Sequence, residues 1–314
     1  MSAEYPIVAI TGSSGVVSEA IIKALEHVFW RTRVKAVYIQ GDAFYRYDRV
    51  TMRQEMSKAR ANGHLLSHYH PNANHLDKLE SLFFEYAATG KGMYRHYLRT
   101  TKLAARYGQA PGTFTPWQAM AADSDLLLYR GLHGAAKVDD IDIAQYPDLL
   151  LGIAPNANME WLRKLQRDKK LHGCSTQDVK NVVMEHLHDY LTYISPQFSR
   201  THINFQMIPV VDTSDPFGYE EVPDIYECYL VIRFQRDYRP DFTHFIKGIP
   251  GAFMSRHNTL VVPGSKILNV VELILLPLIN DLIAKSRELR QITDVPKDRG
   301  AGLLGIAEES ILQT

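Results

Sequence analysis

Cysteine is scarce, with only Cys174 and Cys228 in 314 residues, far apart and without a C-x-x-C spacing. That excludes a disulfide-stapled secreted scaffold and a thioredoxin-type centre, and it fits a reducing compartment. Net charge is missing as well, because Lys+Arg and Asp+Glu both total 35 and are interspersed. Without a basic stripe or a polybasic anchor, neither nucleic acid nor a membrane surface is an expected partner. The amino-terminal MSAEYPIV lacks the basic start and apolar core of a secretory signal. The most apolar stretch, Val270 to Ile283, is broken by Glu272, Pro277, Asn280 and Asp281. The expectation is a soluble, cytoplasmic protein.

What is present starts at Tyr5 to Thr11, YPIVAIT, which reads as a buried strand running into GSSGVVSEA. A Walker-type loop, G-x-x-x-x-G-K-[ST], wraps backbone N–H groups around phosphates, and its last hydroxyl holds Mg²⁺. Gly12, Ser13, Ser14 and Gly15 fit that frame as nucleotide-binding positions. Three later positions oppose it. Val17 replaces the second glycine, resists positive φ, and is expected to project methyl groups into the cradle. Ser18 stands at the lysine position, and Glu19 puts a negative charge where a metal-binding hydroxyl belongs.

Apolar runs at Val34 to Gln40, Asp125 to Tyr129 and Asp148 to Pro155 alternate with helical patterns, the signature of a largely parallel sheet covered on both faces. Helices are predicted over Ser18 to Trp30, His75 to Tyr86, Met159 to Lys170, Gln177 to Ile194 and Lys266 to Leu289. Further strands are predicted at Pro209 to Asp212, Glu227 to Phe234 and Asn258 to Gly264. The Gly-, Tyr- and Arg-rich stretch between Gly90 and Trp117 has weak periodicity and is expected beside the active cleft.

Taken in order, GSSG, GDAFYRYDR, YRGLHGA, MEWLRKLQRD, PQFSRTHINFQ, PVVDTSDPF and MSRHNTLVVPG resemble the bacterial, octameric type of phosphoribulokinase. The resemblance implies a single-domain α/β fold of the P-loop kinase kind, a mixed, mainly parallel sheet flanked by helices over residues 1–290. Residues 291–314 then form a carboxy-terminal extension, a tail or docking segment. The implied reaction moves the γ-phosphate of ATP, with Mg²⁺, to O1 of ribulose 5-phosphate, a Calvin-cycle step.

By the same resemblance Asp42 is the general base, with Asp168 as a second metal carboxylate. Arg49, Arg53, Lys164 and Arg167 fall where substrate phosphates are bound. Arg31, Arg233 and Arg256 match positions tied to an NADH or AMP effector, and the implied assembly is a homo-oligomer as large as an octamer.

The departures fall on the machinery. Besides Val17, Ser18 and Glu19, the family's Walker-B-like acid is Arg130, the histidine of GDAFHR is Tyr45, a second family histidine is Arg99, and an arginine is His172. A unit cation ~4 Å from Mg²⁺ at an effective dielectric of ~20 costs roughly 8 kcal/mol before relaxation. No metal ligand set is therefore expected, and Glu19 is expected to pair with Arg130 across the vacated cation position. These substitutions favour a pseudokinase that regulates or scaffolds, assembled with itself or with an active paralogue. The alternatives are an active kinase for ribulose 5-phosphate or a related sugar phosphate, and a module sensing NADH, AMP or a sugar phosphate.

Overall fold

The apolar runs become neighbouring strands because each must bury both faces. The computed structural model describes residues 4–12, 15–120, 123–218, 221–235, 238, 240–293 and 302–304. The chain begins with β1 (Ile7–Gly12), α1 (Val16–Thr32), β2 (Lys35–Gln40), α2 (Arg49–Ala61), α3 (Leu76–Thr89), β3 (Met93–Tyr94), α4 (Thr101–Arg106) and β4 (Gln118–Ala119). It continues through β5 (Leu126–Gly131), β6 (Lys137–Val138), β7 (Ile141–Asp142), β8 (Leu149–Ile153), α5 (Ala157–His172), α6 (Thr176–Asp189), β9 (Ile203–Pro209) and β10 (Cys228–Phe234). Last come α7 (Phe242–Gly248), β11 (Phe253–Arg256), β12 (Thr259–Pro263), α8 (Ile267–Leu289) and β13 (Gly302–Leu304).

The main sheet runs β11-β12-β10-β9-β8-β1-β5-β2-β13. From β9 to β13 every pairing is parallel. The β9–β10, β10–β12 and β12–β11 pairings are antiparallel. The result is the expected mixed, mainly parallel sheet in one domain.

Alternation along β1 divides the core. Val8 and Ile10 pack with Ile21, Leu25, Val28 and Phe29 of α1 and with Val270, Ile274 and Leu275 of α8. Ile7 and Ala9 face the other way, onto Leu79, Phe83 and Tyr86 of α3. Each fully buried large apolar side chain contributes roughly 1.5–3 kcal/mol. Helix α8 is long and apolar enough to span a bilayer, yet its apolar face is occupied by this packing.

Several elements differ from expectation. PVVD is no strand: β9 ends at Pro209, and Val210 and Val211 are exposed. The helix predicted to Ile194 becomes a π-helical turn from Tyr190. Helix α2 lacks a clear stripe because Met52 is its one buried residue, and β11 and β13 were not foreseen.

Candidate active site

The carboxyl ends of β1, β2, β5 and β8 open on one edge of the sheet, where doubly wound folds place their ligands. Gly12 ends β1 at φ 123, and a Cβ there would fall on the Ile153 carbonyl oxygen. The expectations for Ser13 and Ser14 lie outside the described residues. Gly15 caps α1: its N–H donates to Ser18 Oγ at 3.0 Å, while the Ser18 hydroxyl donates to Gly15 O at 2.9 Å.

Val17 belongs to the first turn of the helix. Because α1 has already begun at Val16, Val17 is helical and turns into the main core with 5% exposure. Its methyl groups therefore serve packing. It also helps line a small cavity of about 20 Å³ that Arg163 and Met159 share.

Arg130 meets the start of the same helix. Its Nη2 donates to Ser18 Oγ at 2.8 Å. Ser18 faces inward, fully buried, while Glu19, one residue on, is half-buried. Tyr38 lies close by, where burial raises its phenol and the Arg130 cation opposes that rise.

Gln197 was quoted only as part of a motif, yet it ties these loops together. Its Oε1 accepts from Thr11 Oγ1 at 2.9 Å and from Ala135 N at 3.0 Å. Its Nε2 donates to the carbonyls of Leu132 and Tyr193 at 2.9 and 2.8 Å. Nearby, Gly41 and Gly131 face one another; a Cβ on Gly41 would sit 2.6 Å from Tyr129 Oη and 2.7 Å from Gly131 Cα.

Asp42 follows β2, and the Gly90–Trp117 stretch does lie over it. Tyr94, Arg95, His96 and Tyr97 enclose Asp42 and Tyr38 around a cavity of about 30 Å³, room for about one water. Arg99 Nη2 donates to the Asp42 carboxylate and, at 2.9 Å, to Gln40 Oε1. The carboxylate in turn holds Arg99 above the usual guanidinium range. Arg95 donates to the carbonyls of Ala43 and Tyr45 at 2.8 and 2.5 Å and lies 3.6 Å from the Phe114 ring centre. Burial brings Arg95 down to about 10 and also lowers His96, the latter against the pull of Asp42. Tyr45 packs against His68 with the ring centres 4.5 Å apart and the planes tilted, and burial raises its phenol. Arg95, His96 and Gln40 are contributors that the sequence reading missed; the basic and aromatic density of MYRHYLRT was the available signal.

Helix α2 carries Arg49 and Arg53. Arg49 Nη2 donates to Arg99 O at 2.7 Å, which binds α2 to the stretch over Asp42, and Arg53 is exposed. On α5, Lys164 Nζ and Arg167 Nε reach Asp168 at 2.9 and 3.0 Å. Burial would raise the Asp168 carboxyl, but these two cations outweigh it and hold it below the usual range. His172 ends α5, and its side chain is outside the described residues.

The effector arginines divide. Arg233 and Arg256 line one cavity of about 810 Å³ with His257 and Asn204. Arg31 pairs with Glu272 at 2.6 Å and lines a separate cavity of about 380 Å³ with Arg287 and Asn280.

Several polar side chains around the loop are engaged within the protein. The Ser18 hydroxyl is saturated within the protein, Arg130 is a cation, Asp42 is held by Arg99, and Asp168 is held by Lys164 and Arg167. Among the described residues, no three His, Cys, Asp or Glu side chains converge as a metal cluster.

Comparison with known proteins places this geometry. The Phosphoribulokinase / Uridine kinase family matches residues 7–214. A chromosomal phosphoribulokinase of Cupriavidus necator is 46% identical over 292 residues, 93% of this chain and 100% of that protein. A phosphoribulokinase of Sinorhizobium medicae is 44% identical over 289 residues, 92% of this chain and 100% of the relative. The solved structure of a phosphoribulokinase from Rhodobacter spheroides superposes with a TM-score of 0.84 at 41% identity, covering 90% of this chain and 99% of that one.

Proposed function

The chain belongs to the phosphoribulokinase / uridine kinase family, and from that premise we propose that it is a phosphoribulokinase-type protein whose phosphoryl transfer is lost or strongly impaired. Its role is regulatory or scaffolding in Calvin-cycle carbon metabolism, as a cytoplasmic homo-oligomer or bound to an active paralogue. The carrying observation is the ion pair between Asp42 and Arg99. A general base must take the proton of the attacking sugar hydroxyl, and the pair engages one of the two oxygens with which Asp42 would do so. The cation of Arg130 at the phosphate loop adds to the loss, because phosphoryl transfer rests almost wholly on positioning and electrostatics. ATP binding in a weakened form, and NADH or AMP at the cavity of Arg233 and Arg256, remain part of this reading.

A second reading is an active kinase for ribulose 5-phosphate or a related sugar phosphate. It is favoured by the link from Arg49 to the backbone of Arg99, which ties a second arginine to the segment over the candidate base. In that reading, substrate phosphate draws Arg99 away and frees Asp42.

The test is transfer of the γ-phosphate of Mg·ATP to ribulose 5-phosphate by the pure protein, beside a Val17→Gly, Glu19→Ser, Arg99→His, Arg130→Glu variant. Silence in the former with turnover in the latter supports the first reading. Robust turnover by the unaltered protein refutes it and supports the second.

A further inference from the structure

The side of β2 that faces away from β5 is covered by three residues from the end of the chain. Gly302, Leu303 and Leu304 run parallel to β2, opposite Lys35, Ala36 and Val37. Gly302 N donates to Val34 O at 2.9 Å, and Leu303 packs against the main core. Without this strand, β2 would present a row of unpaired N–H and C=O groups, a template for any extended chain.

The fit is specific at its first residue. Gly302 has φ 100, and a Cβ there would lie 3.0 Å from Nε1 and 3.2 Å from Cε2 of Trp30. The indole itself is 60% exposed and forms a wall at the end of α1. Edge and wall together select glycine followed by an apolar residue in a parallel strand. The 292 residues aligned with the Cupriavidus necator protein include all of that relative and 93% of this chain, so its fold is complete at a shorter length than this chain has.

We propose that the β2 edge and Trp30 form a strand-acceptor groove, and that the carboxy-terminal segment around Gly302–Leu304 is its detachable ligand, bound by β-augmentation. The segment is recognised by its own sequence, so a second copy of the chain can supply it in trans.

The test uses the full chain carrying Gly302→Val, whose side chain meets Trp30, and a second full chain carrying Leu303→Asp, which leaves Gly302 and Trp30 unchanged. Hydrogen exchange of the amides in residues 34–38 is expected to accelerate at least tenfold in both. A synthetic peptide of residues 300–314 is then added. It is expected to bind either variant saturably, to restore the protection of β2, and to lower acrylamide quenching of Trp30. The same peptide bearing Gly302→Val is expected to bind at least tenfold more weakly. Unchanged exchange in both variants overturns the proposal. So does failure of the unmodified peptide to bind, or equal binding of the two peptides.

Discussion

Arg99 holds Asp42 from 57 residues away in the chain, and the same Nη2 also reaches Gln40 Oε1 at 2.9 Å. The strand end and the stretch that covers it are thus joined through the carboxylate proposed as the base. Their side chains are only 9% and 28% exposed for Asp42 and Arg99, so each is a poor candidate for solvation once its partner is gone. Arg99→Ala is expected to cost about 2 kcal/mol in urea unfolding, the low end for a partly buried pair. Adding Asp42→Asn to it should recover part of that loss. Additive losses in the double-mutant cycle would show that the pair carries no coupling.

Arg130→Ala removes the donor to Ser18 Oγ and the cation beside Tyr38. Affinity for a nucleoside triphosphate, read by calorimetry without divalent metal, is expected to fall several-fold, because the loop loses the cation beside it that would attract a polyanion. Glu19→Ala is expected to move the affinity the opposite way. Equal effects of the two changes would contradict this charge assignment.

Gln197→Ala deletes the hub that joins Thr11, Leu132, Ala135 and Tyr193. With the side chain 3% exposed, its partners are left without replacements from water. The expected cost is about 2–4 kcal/mol, at roughly 1 kcal/mol or more for each buried bond left unmade. Gln197→Glu turns a buried carboxylate toward the Leu132 and Tyr193 carbonyls, so at neutral pH it should cost at least as much as alanine in the same unfolding measurement.

Burial pushes His133 down to about 4, from 6.5. The unfolded chain binds a proton there at a pH where the native protein does not, so stability is full above about 6.5 and falls as pH drops toward about 4. The decline attributable to this residue is about 3 kcal/mol. His133→Gln, which cannot take up that proton, should flatten the denaturant midpoint over this window; a slope identical to that of the unaltered protein would rule the assignment out.

Gly41→Ala is expected to cost about 2–3 kcal/mol, because the added methyl meets both Tyr129 Oη and the Gly131 backbone. Tyr129→Phe in the same chain should relieve only part of this, since the backbone clash stays. Complete rescue in thermal unfolding would mean that the hydroxyl is the sole obstacle.

The sheet was legible because β1, β2, β5 and β8 are apolar on both faces, which leaves no other place for them. Helix α2 was not, since a helix that buries Met52 alone has almost no stripe to detect. Val210 and Val211 misled for the opposite reason: they look like strand residues but are exposed beyond the end of β9. At the site, residue types could be read and partners could not. Arg99 stood out as a change of type, but its pairing with Asp42 depends on a long-range loop closure that no local pattern encodes. The contact of Arg130 with Ser18 Oγ was equally hidden, because one residue of helical rotation, ~100°, decides which side chain faces the sheet.

The sheet has two ends, the three-residue strand β13 at one and β11 at the other. A terminal strand that short offers little ladder for a further chain to extend. Two copies joined β11 to β11 about a two-fold axis would leave β13 at both outer ends, so growth of the pair would be blunted there. Release of β13 would lengthen that outer edge to the six residues of β2, a better template for open-ended assembly.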